Sequence, residues 1–351
     1  MEGFELICSG YGAETGNDIL TVRLSPEGKA EVTGGIRQGG GPSWILEKGE
    51  FLYAVSEQSG RAAIDRFRIR EDGSLSEEQS RIALPGGELC HLWAGENALY
   101  GSCYGTGDFF AVDDELREIL WHRSPQAGGG VEEGSGAAEG GSGAGRPEGT
   151  GGAGCQEEWA APHAHWVSRQ DSVLYLSDLG RDRIYRYRIG GGLPEAELEP
   201  VCLPKGAGPR QVLPLGGKLL LSVQELDGTL RLWRDEGKQA PPICLQTVRA
   251  TSIQGTNYPG TACLAGPDTA LVCNRGANTV AAFSIRGERL TRIGEWETGN
   301  WPRHLLFVPG SDLVINACNK EGVLNVFSWD GARLQKRDAI ALCGASCALA
   351  L

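Results

Sequence analysis

One unit of about 47 residues recurs along nearly the whole chain, and no other feature constrains the fold as strongly. The copies open with a Pro-led or His-led segment, run through an apolar strand, and close a second strand with a small or polar residue. GPSWILEKGEFLYAVSE (Gly41–Glu57), PHAHWVSRQDSVLYLSD (Pro162–Asp178), GPRQVLPLGGKLLLSVQE (Gly208–Glu225) and WPRHLLFVPGSDLVINACNK (Trp301–Lys320) show the plan. Follow-on strands repeat as well, as RIYRYRI, TLRLW, TVAAFSI and VLNVFSW. Short strands in sets at this period predict a β-propeller, because one blade cannot bury both of its faces alone.

Residues Glu57, Tyr104, Asp178, Glu225, Arg275 and Lys320 close successive second strands, at gaps of 47, 74, 47, 50 and 45. The one long gap contains Ala127–Gly154, 28 residues dominated by Gly, Ala, Ser and Glu, with no aromatic residue and one Val. Such a stretch buries too little apolar surface to offset its ordering entropy, so it is expected to be a disordered insertion on a blade. Second strands are expected at Leu6–Ser9, Phe51–Ser56, Ala98–Ser102, Val173–Ser177, Lys218–Val223, Ala270–Asn274 and Leu313–Asn316. The C-terminal GASCALAL (Gly344–Leu351) reads as a first strand. Pairing the termini in one blade would close the ring and leave no open sheet edge. The expectation is an all-β, seven-bladed propeller over residues 1–351 as a single domain.

The net charge of −12 argues against nucleic acid, which requires a basic surface. No signal-like start and no run of 18 apolar residues is present, so no membrane contact is expected. Eleven cysteines lie mostly in apolar strands without CxxC pairs, which predicts reduced, buried thiols and a cytoplasmic setting. Cys343 and Cys347 read as structural residues, and neither a metal nor a cofactor is expected.

In a propeller, first-strand starts and second-strand ends meet at one mouth of the central channel. Aligning the starts places Trp44, His91, His165, Gln211, Thr261 and His304 in one slot, preceded by Arg210 and Arg303. The returning ends supply Glu57, Asp178, Glu225, Arg275 and Lys320. Imidazoles, carboxylates and guanidinium groups together suit acid/base chemistry on an anion. Asp178 reads equally as a side chain that ties down its turn, His163 as a turn residue, and His91 and His304 as hydrogen-bonded rim residues. His165, Arg210, Glu225 and Arg275 stand apart, because four complementary groups converge from three neighbouring blades.

The segments PHAHWV, SDLGRDRIYRY, GPRQ…VQELDGTL, NRGANTVAAF and GNWPRHLLF resemble those of the seven-bladed propeller lactonases. That family includes the propeller-type 6-phosphogluconolactonases and the carboxy-muconate lactonising enzyme. The resemblance implies His165 and Glu225 as the acid/base pair, with Arg210 and Arg275 holding anionic groups; Arg303 and His304, from the aligned strand starts, are expected to line the substrate. Gln211 and Ala277 replace histidines frequent in the family, and CYGTGDFFAV stands for an NYGGG-like segment. The implied activity is metal-independent hydrolysis of a small anionic sugar lactone, foremost 6-phosphogluconolactone of the pentose phosphate pathway. Glu225 is expected as general base and His165 as general acid or oxyanion partner, with the reverse assignment open. A lactonising cyclase and a non-catalytic interaction scaffold are the alternatives.

Overall fold

The structure, a computed structural model, describes residues 3–12, 16–125 and 161–351. The described residues form strands and no helix, so no helix is long and apolar enough to cross a membrane. The expected insertion at 127–154 lies outside the described residues.

Seven four-stranded antiparallel sheets make seven blades. The innermost strands of blades 1 to 7 are Ala345–Ala350, Ile45–Lys48, Leu89–Ala94, Ala164–Gln170, Pro209–Gly216, Tyr258–Leu264 and Pro302–Phe307. Ring closure is as anticipated: Ala345–Ala350 runs antiparallel to Phe4–Gly10, with Leu6 opposite Ala350 and Cys8 opposite Ala348. Second strands are packed on both faces, so they read as continuous apolar runs rather than alternating ones. Val173–Asp178 and Leu313–Cys318 are buried at every position. Outermost strands such as Ile243–Arg249 are exposed or half-buried at every position.

The core lies between the blades. Seven apolar clusters each fill one interface, from Leu6 and Val22 against Ile315 and Val326 to Ile7 and Ile19 against Leu52 and Phe67.

Near its start, nearly every innermost strand carries a β-bulge, which places one extra residue opposite its partner strand and re-aims that side chain. Ladder pairing skips Cys90, His165, Arg210, Arg303 and Ser346, one in each of five blades. Blade 6 has its irregularity between Pro259 and Ala262, where Gly260 takes the bulged place. A Cβ on Gly260 would stand 2.8 Å from the carbonyl oxygen of Arg303, so only glycine lets the neighbouring blade approach this closely.

These bulges correct the alignment of strand starts. His165 does not share a slot with His91 and His304; it is the bulged residue, equivalent to Arg210 and Arg303. The slot after the bulge holds His91, Trp166, Gln211, Thr261 and His304, most of which brace one blade to the next. His91 Nδ1 accepts from the Val167 N–H, Gln211 Oε1 from Ala262, Thr261 Oγ1 from Leu305, and His304 Nδ1 from Ala348. Trp44 Nε1 donates to the Leu92 carbonyl in the same manner.

The strand ends need a parallel correction. Backbone pairing makes Tyr11, Glu57, Tyr104, Leu179, Glu225 and Asn319 equivalent, and Arg275 takes the same place opposite Tyr258. Asp178 therefore falls one residue early and Lys320 one late. Asp178 ties its turn, its Oδ1 accepting from the backbone N–H groups of His163 and Arg181 at 2.9 and 3.1 Å.

Among the described residues nine cysteines carry free thiols, six of them buried. Cys202 overturns the expectation of uniformly reduced, buried thiols. It is disulfide-bonded and lies exposed at the end of an outermost strand, where no core shields it.

Candidate active site

The mouth of the channel is assembled from the bulges and the strand ends. The bulge in blade 4 turns His165 inward, the bulge in blade 5 turns Arg210 inward, and both are buried. Glu225 follows the second strand of blade 5, its N–H donating 2.7 Å to the Gly208 carbonyl. Arg275 closes the second strand of blade 6. All four residues expected to converge do so. Arg210 Nη1 donates to Glu225 Oε2 at 2.7 Å and to His165 Nε2 at 2.5 Å. Arg275 Nη2 lies 2.6 Å from the same Glu225 oxygen. Arg275 is fixed further by donating from Nε to the Tyr258 carbonyl and from Nη2 to that of Pro259.

Burial and charge set the protonation states. Burial alone would push the Glu225 carboxyl up, but the charges and hydrogen bonds of Arg210 and Arg275 outweigh it and hold the pKa at about 2. Burial, reinforced by Arg210, holds His165 well below the usual histidine range. Burial and the repulsion of Arg210 bring Arg275 down to about 10. At neutral pH the site therefore holds a carboxylate, a neutral imidazole and two guanidinium ions, a cluster of net charge +1 by formal count in a strongly acidic chain. His165 Nε2 faces an obligate donor, so the proton belongs on Nδ1, which is buried and has no hydrogen-bond partner among the described residues.

Beneath this cluster four rings plug the channel. Trp44 packs 4.5 Å from His91, 4.9 Å from Trp166 and 5.1 Å from His304, and His91 stacks on Trp166 at 3.7 Å. The mouth is thus a pocket with an aromatic floor, and a small cavity there touches His165, Arg210, Thr261, Arg303 and His304. His304, expected to line the substrate, does line this cavity, but its Nδ1 is committed to blade bracing. Arg303 reaches a different carboxylate, Glu57, at 3.3 Å.

A family model for the seven-bladed β-propeller lactonases matches residues 5–341. The chain belongs to that family. An uncharacterized protein of Staphylococcus saprophyticus is 24% identical over 311 residues, which cover 82% of this chain and 81% of that protein. The "Probable 6-phosphogluconolactonase" of Arthroderma benhamiae is 23% identical over 245 residues, covering 68% of this chain and 56% of that protein. Among solved structures, the periplasmic gluconolactonase PpgL of Pseudomonas aeruginosa superposes with a TM-score of 0.81 at 18% identity, over 100% of this chain and 99% of that one. A candidate 6-phosphogluconolactonase of Bacteroides fragilis superposes at 0.82 and 20% identity, over 100% and 98%. At these identities the structural likeness speaks for the fold alone.

Sequence reasoning missed Tyr11 and Trp301. Tyr11 occupies the strand-end slot of Glu225 in blade 1, and carrying the repeat register through FELICSGYG would have found it. Trp301 takes a left-handed φ of 63°, rare for a bulky residue. Its ring lies 3.3 Å from Lys320 Nζ and 5.7 Å from the Arg275 guanidinium carbon. No local sequence signal announces that conformation.

Proposed function

We propose that this protein hydrolyses a small anionic sugar lactone without a metal, with 6-phosphogluconolactone the foremost candidate. The observation that carries this reading is the single carboxylate oxygen of Glu225, gripped by Arg210 and Arg275 and linked through Arg210 to His165. An anion arriving at the mouth offers both guanidinium groups a new partner of planar, bidentate geometry. As those charges are drawn to the anion, the field holding Glu225 at its low pKa weakens and its oxygen becomes a better proton acceptor. Glu225 then takes the proton of the attacking water and returns it to the ring oxygen as the lactone C–O bond breaks. His165, neutral in the buried site, serves as the hydrogen-bond partner of the carbonyl oxygen as charge develops there. A full proton donor would have to be an imidazolium, and burial opposes that form, so the oxyanion-partner role is the one the electrostatics favour.

The name 6-phosphogluconolactonase carried by one relative supports the choice of substrate. A role in the pentose phosphate pathway and a cytoplasmic setting belong to the same proposal; the nine free thiols favour the latter and the disulfide at Cys202 counts against it. Purified protein should open 6-phosphogluconolactone faster than the spontaneous rate, equally with and without chelator, and should leave carboxy-muconates unchanged. Cyclisation of a muconate would replace the reading with the lactonising reaction, and loss of activity with chelator would remove its metal independence.

A further inference from the structure

Across the mouth from the four-residue cluster lies a second carboxylate-centred cluster, from blades 7, 1 and 2. Glu57 Oε2 accepts the Tyr11 hydroxyl at 2.7 Å and Arg303 Nη2 at 3.3 Å, and the Arg303 guanidinium lies 5.2 Å from the centre of the Tyr11 ring. The register explains the pairing. Tyr11 and Glu57 hold the strand-end slot of Glu225, and Arg303 holds the bulge slot of Arg210. The repeat has thus produced an Arg–Glu pair twice, and both arginines face the same cavity. Burial pushes the Tyr11 hydroxyl well up, so it stays a donor.

The two clusters differ in charge. Two arginines and one glutamate give the first a net +1, whereas Arg303 and Glu57 cancel. A neutral pair attracts a dianion weakly, and a carboxylate brought against Glu57 is repelled. Among the described residues, Glu57 Oε1 takes no hydrogen bond and the Nε and Nη1 groups of Arg303 give none. An acceptor beside a donor suits neighbouring hydroxyl groups, each of which both gives and takes a hydrogen bond.

We propose that Tyr11, Glu57 and Arg303 form a second binding pole that reads neighbouring hydroxyls of a polyhydroxylated substrate, while the anion goes to Arg210 and Arg275. The division of labour rests on the lactonase reading of the first cluster. It makes the pocket selective for sugar-derived lactones over polycarboxylates of similar size.

Calorimetric titration with 6-phosphogluconate, the ring-opened product, and with inorganic phosphate tests the assignment. Glu57→Gln should weaken 6-phosphogluconate about tenfold or more while phosphate binding is kept or tightened, because Arg303 loses its neutralising partner. Tyr11→Phe keeps the ring beneath Arg303, guarding against a folding defect, and should weaken 6-phosphogluconate to a lesser degree with no change for phosphate. The proposal is overturned if Tyr11→Phe and Glu57→Gln leave 6-phosphogluconate unaffected, or weaken both ligands alike. It is also overturned if the wild type binds 6-phosphogluconate no more tightly than phosphate. Wild type that shows the expected binding pattern yet opens no lactone would remove the proposed reaction and leave the second pole standing.

Discussion

Glu225 is the residue on which the site turns, because one oxygen of its side chain pairs with two buried guanidinium groups. Removing one partner of a buried ion pair costs more than the pair contributes, since the remaining charge loses its compensation. Glu225→Gln should therefore lower stability, by less than the roughly 3–5 kcal/mol of a fully buried broken pair, because the side chain keeps 16% exposure. Thermal melts should show the loss, and added inorganic phosphate should restore more stability to the variant than to the wild type. An unchanged melting curve would mean that Arg210 and Arg275 do not depend on this carboxylate. Arg275→Ala tests the other half of the ion pair. It should weaken capture of 6-phosphogluconolactone by about 1.5–3 kcal/mol per lost charged hydrogen bond, with a smaller loss on the unphosphorylated lactone. Equal losses in kcat/KM on both lactones would show that Arg275 does not read the phosphate.

At the scale of the strand, the bulges decide which side chains reach the mouth. Gly260 makes this testable. Its missing Cβ leaves room for the backbone of Pro302 and Arg303 at 2.8–3.0 Å, so Gly260→Ala should displace the strand that carries Arg303. A cost of about 1–3 kcal/mol is expected for such overpacking, read as a lowered melting temperature, with weakened substrate capture if the lactonase reading holds. An alanine variant as stable as the wild type would show that blade 7 has slack here. The bulges also explain how far the site was legible from residues alone. Strand identity, blade number and the convergence of His165, Arg210, Glu225 and Arg275 followed from the repeat and from the family resemblance. The one-residue displacements of His165, Asp178 and Lys320 did not, because a bulge and a turn of varying length shift register without leaving a mark in hydrophobicity. Tyr11 escaped for a different reason: blade 1 is split between the two ends of the chain, so its strand end stands outside the run of repeats.

For the molecule as a whole, seven interblade clusters supply the core, and three buried histidines couple it to pH. His91, His165 and His304 are held below their ordinary range chiefly by burial, His304 at about 3. The unfolded chain protonates these histidines near pH 6.5 and the folded protein does not. Stability is accordingly complete above about pH 6.5 and falls as pH drops toward the folded values, by up to about 4 kcal/mol per pH unit when all three contribute. Glu225 adds a later loss, between its ordinary range and about 2. Denaturant melts from pH 8 to pH 4 should show a plateau and then this decline; stability flat to pH 4 would mean that the histidines are hydrated or paired. The central claim, that the Glu225–Arg210–His165–Arg275 cluster performs lactone hydrolysis, is tested most directly by the opening rate of 6-phosphogluconolactone, corrected for the spontaneous reaction. Wild type and Glu225→Gln would be compared at a temperature where melts show both folded. The account predicts clear enhancement by the wild type and a fall of roughly a hundredfold or more in the variant, whereas equal rates in the two proteins would contradict it.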